Sequence, residues 1–298
     1  MNESVVNFGP AAGLVGVLNE PEKRREGAPA VVILNAGIIH RAGPNRMHVR
    51  LACALASAGI PSLRIDMAGI GDSQGLGSTE SQDEECLASI SASIDLLESR
   101  GTARRFVLYG ACSGAVYAFR YARRDPRVVG VAGVDPPTID RSLKYHLLRA
   151  LAAVKRPVVW YRLITGRYRV TPRIRSLVGP GQSPSNAAQT SDVSRRHAAT
   201  EALAEMVRRG VQLLLLITGN FIEQRYNYQS QLFDVFPGLG LEGVTKVTML
   251  PTANHTFSRE ADRSALEGEL LHWIAEASFP LPAMAPAPLP SSPEATTS

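Results

Sequence analysis

Apolar residues along this chain fall into two alternating kinds of run. Strand-length runs fall at 30–34, 61–65, 105–109, 127–134, 211–217 and 245–250, and the run 30–34 is apolar throughout, as expected of a strand buried on both sides. Between them apolar positions return every three or four residues, as at Leu87, Ile90, Ile94 and Leu97. That period predicts helices over about 45–57, 84–97, 191–209, 226–236 and 262–277. Two further runs, 4–8 and 14–18, flank Gly9-Pro10 and read as an antiparallel hairpin at a sheet edge. The alternation predicts an α/β fold, with a mainly parallel eight-stranded sheet and helices on both faces.

The alternation breaks over residues 138–205, which hold a Gly/Pro/Ser-rich turn at 179–185 and much basic sequence. An insertion of that length after a single strand predicts a cap over the C-terminal edge of the sheet. The core would then comprise 1–137 and 206–278. Residues 279–298, rich in Pro, Ala and Ser, read as a disordered tail.

Composition narrows the class. At 298 residues with 45% hydrophobic content the chain can bury a sizeable core. Three cysteines without paired spacing argue against a disulfide framework and for a reducing, cytoplasmic setting, with Cys53 and Cys86 as buried thiols on helix faces. The first residues lack a basic region followed by an apolar core, so no secretory signal is expected. The longest apolar runs are too short to span a bilayer, and the protein is expected to be soluble. The net charge of +5 is unevenly placed: Lys155, Arg156, Arg162, Arg167, Arg169, Arg173 and Arg175 fall in one segment without an acid. Such a run is ordinarily a solvated face. Its functional reading is attraction of an anionic partner, with Arg167 and Arg169 as substrate-binding candidates. No nucleic-acid motif accompanies it.

The most specific chemical signal is Gly110-Ala111-Cys112-Ser113-Gly114, between an apolar strand and a small-residue helical run. It has the form of a nucleophile elbow, in which a sharp strand-to-helix turn lifts the reactive side chain above the sheet. Small flanking residues let the two backbones meet at a strained position. With Cys112 as nucleophile the flanks are Gly110 and Gly114; with Ser113 they would be Ala111 and Ala115. The glycine flanks favour Cys112. A thiol nucleophile needs a base and a group that orients it. His255, between the last strand and the last helix, has the fitting place in chain order. The other histidines, His40, His48, His146, His197 and His272, have ordinary surface or packing explanations, and none shows metal-ligand spacing. The acid has two candidates: Glu223, in the loop after the run 211–217, and then Asp135, at the end of the run 127–134. Asp135 could equally face the substrate or cap a lid helix. Backbone N–H groups of Ser113 and of Gly37 or Ile38 are placed to hold an oxyanion. No cofactor is expected.

The elbow, the loop Asp66-Met67-Ala68-Gly69-Ile70-Gly71-Asp72-Ser73 and the late Asn254-His255-Thr256-Phe257 together resemble the α/β-hydrolase superfamily over about residues 1–277. More narrowly, segments 31–43, 64–73 and 110–115 are similar to the exosortase-A-system-associated hydrolases, which also carry cysteine in the elbow, as do dienelactone hydrolases. The resemblance implies an α/β-hydrolase fold with a cap insertion and a cysteine-dependent acyl hydrolase. Its expected substrate is a small-molecule ester or thioester, carrier-bound thioesters included. Two rivals stand beside this expectation. An acyltransferase or cyclase in a biosynthetic pathway would use the same acyl-enzyme, and a hydrolase-like scaffold would bind without catalysis.

Overall fold

A computed structural model describes residues 1–77, 81–136, 143–154 and 186–280. Its strands are β1 (Asn2–Phe8), β2 (Leu14–Glu20), β3 (Ala30–Ile33), β4 (Ser62–Ile65), β5 (Phe106–Ala111), β6 (Val128–Val134), β7 (Gln212–Thr218) and β8 (Thr245–Leu250). They form a single eight-stranded sheet in the order β1-β2-β4-β3-β5-β6-β7-β8. The hairpin β1–β2 and the β2–β4 pair are antiparallel, and the pairs from β4 through β8 are parallel. The expected α/β-hydrolase sheet is the one observed.

The helices are α1 (Met47–Ser57), α2 (Gln82–Ser99), α3 (Ser113–Ala122), α4 (Leu143–Val154), α5 (Asn186–Arg208), α6 (Gly219–Gln224), α7 (Gln231–Val235) and α8 (Glu260–Glu276). Alternating side chains of the strands supply two cores. Phe106 and Leu108 of β5, with Leu213, Leu215 and Ile217 of β7, pack on the face that carries α2, α3 and Met206 of α5. Val107, Tyr109 and Ala111, with Leu214 and Leu216, pack on the face that carries α1 and α8. Both faces are covered, so the central strands need no polar side, and each fully buried Leu or Phe contributes roughly 1.5–3 kcal/mol.

Three local expectations change. The strand expected at 105–109 continues through Gly110 and Ala111. Of the helix expected at 226–236 only Gln231–Val235 is helical; Tyr226 lies ahead of it, fully buried and donating its hydroxyl to the Gln229 carbonyl at 2.9 Å. Phe279, expected in the tail, packs edge-on against Trp273 at 5.5 Å between ring centroids. Cys86 is buried as expected, while Cys53 is only partly so. The basic segment 155–175, with Arg167 and Arg169, and tail residues 281–298 lie outside the described residues. Among the described residues no helix is long and apolar enough to cross a membrane.

The chain leaves β3 toward β4 on one side and returns to β5 on the other, so the loops after β3 and β5 diverge at a switch point, where open α/β sheets bind ligands. The loop after β3 is fixed by a buried carboxylate. Asp66, wholly buried at the end of β4, accepts from Asn35 Nδ2 (3.1 Å), the Arg41 N–H (2.6 Å) and the Asp72 N–H (3.1 Å), and pairs with the Arg41 guanidinium. Asn35 in turn donates to the Ile39 carbonyl at 2.9 Å and accepts the Met67 N–H at 2.7 Å. Gly71 permits this cluster: with φ 57°, a Cβ there would lie 2.3 Å from the Asp66 carboxylate. The Gly- and Asp-rich loop thus wraps Asp66 and sets the position of residues 35–41.

Breaking one side of a buried ion pair leaves its partners unsatisfied, at about 3–5 kcal/mol. Asp66→Ala is expected to lower the denaturant midpoint by an equivalent of about 3 kcal/mol with an unchanged m-value. A midpoint within error of wild type would show that the cluster does not hold the loop.

Candidate active site

The turn from β5 into α3 places residue 112 in an unusual backbone conformation. Cys112 has φ 55° and ψ −117°, outside the ordinary regions for a side-chain-bearing residue, and it is exposed. The flanking glycines are required sterically. A Cβ on Gly110 would come 2.2 Å from the Gly114 carbonyl carbon, and one on Gly114 would come 2.3 Å from the Asn35 carbonyl oxygen. Strand, helix and the β3 loop therefore touch backbone to backbone around Cys112. Gly110 lies inside the strand in either register. Residue 112 occupies the strained turn, and Ser113 is already the first residue of α3.

His255 reaches the same place from the loop after β8. Its Nδ1 lies 2.6 Å from Asp135 Oδ2, and Cys112 is within hydrogen-bonding reach of its ring. The loop is held by contacts around the histidine. The Gly219 N–H donates to the Ala253 carbonyl at 2.9 Å, Asn45 Nδ2 donates to the Thr256 carbonyl at 2.9 Å, and Phe257 is fully buried at φ 50°. A Cβ on Gly219 would come 2.3 Å from the Pro251 carbonyl oxygen, so only glycine lets the β7 and β8 loops approach this closely.

Asp135 stands at the end of β6, almost fully buried, with φ 47°. Besides His255 it accepts the Thr218 N–H at 2.8 Å and the Thr218 hydroxyl at 2.7 Å. The two hydrogen bonds from Thr218 and the one to His255 together satisfy the buried carboxylate. Thr218 was not singled out from the sequence; its only signal is its place as the last residue of the β7 run, directly before Gly219. Glu223, ranked first as the acid, lies in α6 beyond this junction, and its side chain is outside the described residues. It is Asp135 that meets His255.

Of the oxyanion candidates, Ser113 and Gly37 come together: the Gly37 N–H donates to Ser113 Oγ at 3.0 Å. Ile38 is 91% exposed at the rim of the same loop. His48, by contrast, is a core residue, fully buried and packed edge-on against Tyr109 at 5.7 Å. Burial holds it neutral, with its pKa pushed down to about 3. Among the described residues no group of three His, Cys, Asp or Glu is arranged to hold a metal ion.

A protein-family model described as serine aminopeptidase, S33, matches residues 27–228, more than half of the chain. The chain belongs to the serine aminopeptidase S33 family. No curated protein sequence matches it. Among solved structures it is similar to Est1E from Butyrivibrio proteoclasticus, at 13% identity and TM-score 0.55 over 93% of this chain and 100% of that one. It is similar also to a proline iminopeptidase from Mycobacterium smegmatis (15%, 0.52, over 92% and 98%) and to the α/β hydrolase GrgF from Penicillium sp. sh18 (15%, 0.57, over 93% and 99%). At these identities the structural likeness is one of fold. The protein is thus an enzyme of the α/β-hydrolase type, a hydrolase of the S33 family, with cysteine at the elbow position.

The hydrogen bond to Asp135, reinforced by Cys112, pushes the His255 pKa up to about 9 from an ordinary value near 6.5. A folded-state pKa raised above the unfolded one stabilises the fold fully below about pH 6.5, and that contribution is lost as pH rises through about 9. The difference in melting temperature between wild type and His255→Ala is therefore expected to be largest near pH 6 and to shrink toward pH 10. A difference that grows with pH would mean that His255 is neutral in the folded protein.

Proposed function

We propose that the protein is a cysteine-dependent acyl hydrolase acting on esters or thioesters. The observation that carries the reading is the elbow: a cysteine at positive φ, beside a histidine whose far nitrogen meets a buried carboxylate. Because Nδ1 faces Asp135, Nε2 is the nitrogen left to exchange a proton with the thiol. Cys112 Sγ attacks the carbonyl carbon as His255 takes the thiol proton. The oxyanion is held by the Ser113 N–H and the Gly37 N–H, the latter released when Ser113 Oγ turns away; Ile38 is the neighbouring alternative. His255 then gives its proton to the leaving alkoxide or thiolate, and a thioester to Cys112 remains. Water attacks that thioester with His255 as base, and the Sγ–acyl bond breaks.

In this reading Asp135, not Glu223, orients the base. The similarity to exosortase-A-system-associated hydrolases agrees with cysteine as nucleophile, and the basic run around Arg167 and Arg169 agrees with an anionic, carrier-bound thioester. The family, however, is named for serine, so Ser113 is the rival nucleophile.

Cys112→Ala is expected to abolish both turnover of aryl esters and acyl thioesters and the acyl adduct seen by intact-protein mass spectrometry. Ser113→Ala should keep both. An adduct that survives Cys112→Ala and disappears in Ser113→Ala would overturn the assignment. If amines or alcohols capture the adduct faster than water, the enzyme is a transferase rather than a hydrolase.

His255→Ala and Asp135→Asn should each lower kcat by about 10²–10⁴, while Glu223→Gln stays near wild type. Loss on Glu223→Gln with retention on Asp135→Asn would reverse the choice of acid.

A further inference from the structure

The last residues of β7 hold Asp135 through three hydrogen bonds. The Asp135 N–H donates to the Leu216 carbonyl at 2.9 Å, which keeps its backbone against β7 although its φ is 47°. The side chain turns back onto the same strand, where Thr218 donates its N–H to Oδ1 at 2.8 Å and its hydroxyl to Oδ2 at 2.7 Å. Oδ2 is also the oxygen that meets His255 Nδ1, at 2.6 Å. One carboxylate oxygen therefore serves two donors, the Thr218 hydroxyl and the imidazole. The next residue, Gly219, donates its N–H to the Ala253 carbonyl in the histidine's loop at 2.9 Å, so residues 218 and 219 hold the acid and the base together.

A hydrogen bond to each oxygen stops the carboxylate from swivelling about its Cβ–Cγ bond. Thr218 is wholly buried and β-branched, so its own hydroxyl has little rotational freedom. A donor to Oδ2 also stabilises the carboxylate charge, which weakens the attraction that the same oxygen exerts on the Nδ1 proton. Other titratable groups surround the pair. Tyr109 of β5 is near enough to feel the Asp135 charge, and Cys112 faces the ring from the turn between β5 and α3. On α8 Asp262 is engaged by Thr252 and Arg259, and in the loop after β3 Arg41 is engaged by Asp66 and Asp72.

We propose that Thr218 is a positioning residue for His255: its hydroxyl, by sharing Asp135 Oδ2 with the imidazole, fixes the direction in which the carboxylate faces the ring and tempers its pull on the Nδ1 proton. The proposal rests on the roles given above to Cys112, His255 and Asp135.

Thr218→Val removes the hydroxyl and keeps the shape, whereas Thr218→Ser keeps the hydroxyl. In a Cys112→Ala background, which silences the thiol, NMR titration of the His255 ring reads the coupling without turnover. Adding Thr218→Val should raise the His255 midpoint by roughly 0.5–1 pH unit, and adding Thr218→Ser should leave it at the parent value. In turnover of an aryl ester, Thr218→Val should lower kcat on the order of tenfold with little change in KM, and Thr218→Ser should recover most of the loss. Thr218→Ala repeats both comparisons with less bulk should the valine variant unfold below the assay temperature. A midpoint unmoved by loss of the hydroxyl, or a kcat loss that Thr218→Ser shares in full, would mark a merely structural residue and overturn the proposal. A raised midpoint in a protein whose wild type turns over no ester or thioester would leave the coupling of Thr218 to His255 standing and overturn the acyl-hydrolase reading. Wild-type turnover with kcat indifferent to loss of the hydroxyl would do the reverse.

Discussion

The site depends on one steric constraint, the backbone contact where β5, α3 and the loop after β3 converge. Gly110 has the backbone of Gly114 against it, and Gly114 has the Asn35 carbonyl against it, with no room for a methyl group at either position. That contact forces the turn at Cys112 into positive φ and exposes its thiol. It also fixes how far the Gly37 amide stands from the start of α3, a distance visible in the 3.0 Å bond to Ser113 Oγ. Asn35 carries the constraint outward. Its side chain binds Asp66, and Asp66 organises the loop up to Asp72, so a buried ion pair and a nucleophile elbow share one residue.

A second constraint concerns charge. The carboxylate beside His255 comes from β6, between the strand that bears Cys112 and the strand that bears Thr218. Such a position is buried, and an unpaired carboxylate there would be costly. Thr218 resolves this by donating twice, from backbone and hydroxyl, and His255 supplies the third hydrogen bond. Thr218, the last residue of β7, thus contributes two donors. Gly219 follows because the histidine loop must rest directly on that backbone.

The sheet and its helices were legible because hydrophobic period reports burial, and burial here is nearly complete on both faces. The elbow was legible because its glycines answer a steric demand that sequence displays directly. His255 could be read from chain order. The sequence put Glu223 ahead of Asp135 as the partner of His255, because which of two loops reaches a histidine 120 positions from Asp135 depends on strand order, and β6 lies between β5 and β7 only in three dimensions. Thr218 left no signal beyond ending an apolar run. The helix misread at 226–236 contains a buried Tyr226 whose hydroxyl bonds Gln229; a tyrosine satisfied locally reads in sequence like one on a helix face.

Cysteine in a frame named for serine changes what the surrounding groups must do. A serine hydroxyl needs its base at the moment of attack, and the base needs its acid to hold the tautomer. A thiol is intrinsically far more acidic than a hydroxyl, so a cysteine at the elbow depends less on that third group. Asp135 and Cys112 both raise the His255 pKa, and a more basic imidazole serves proton removal from either side chain. What sets the two apart is place: residue 112 stands at the strained turn, and residue 113 already belongs to α3.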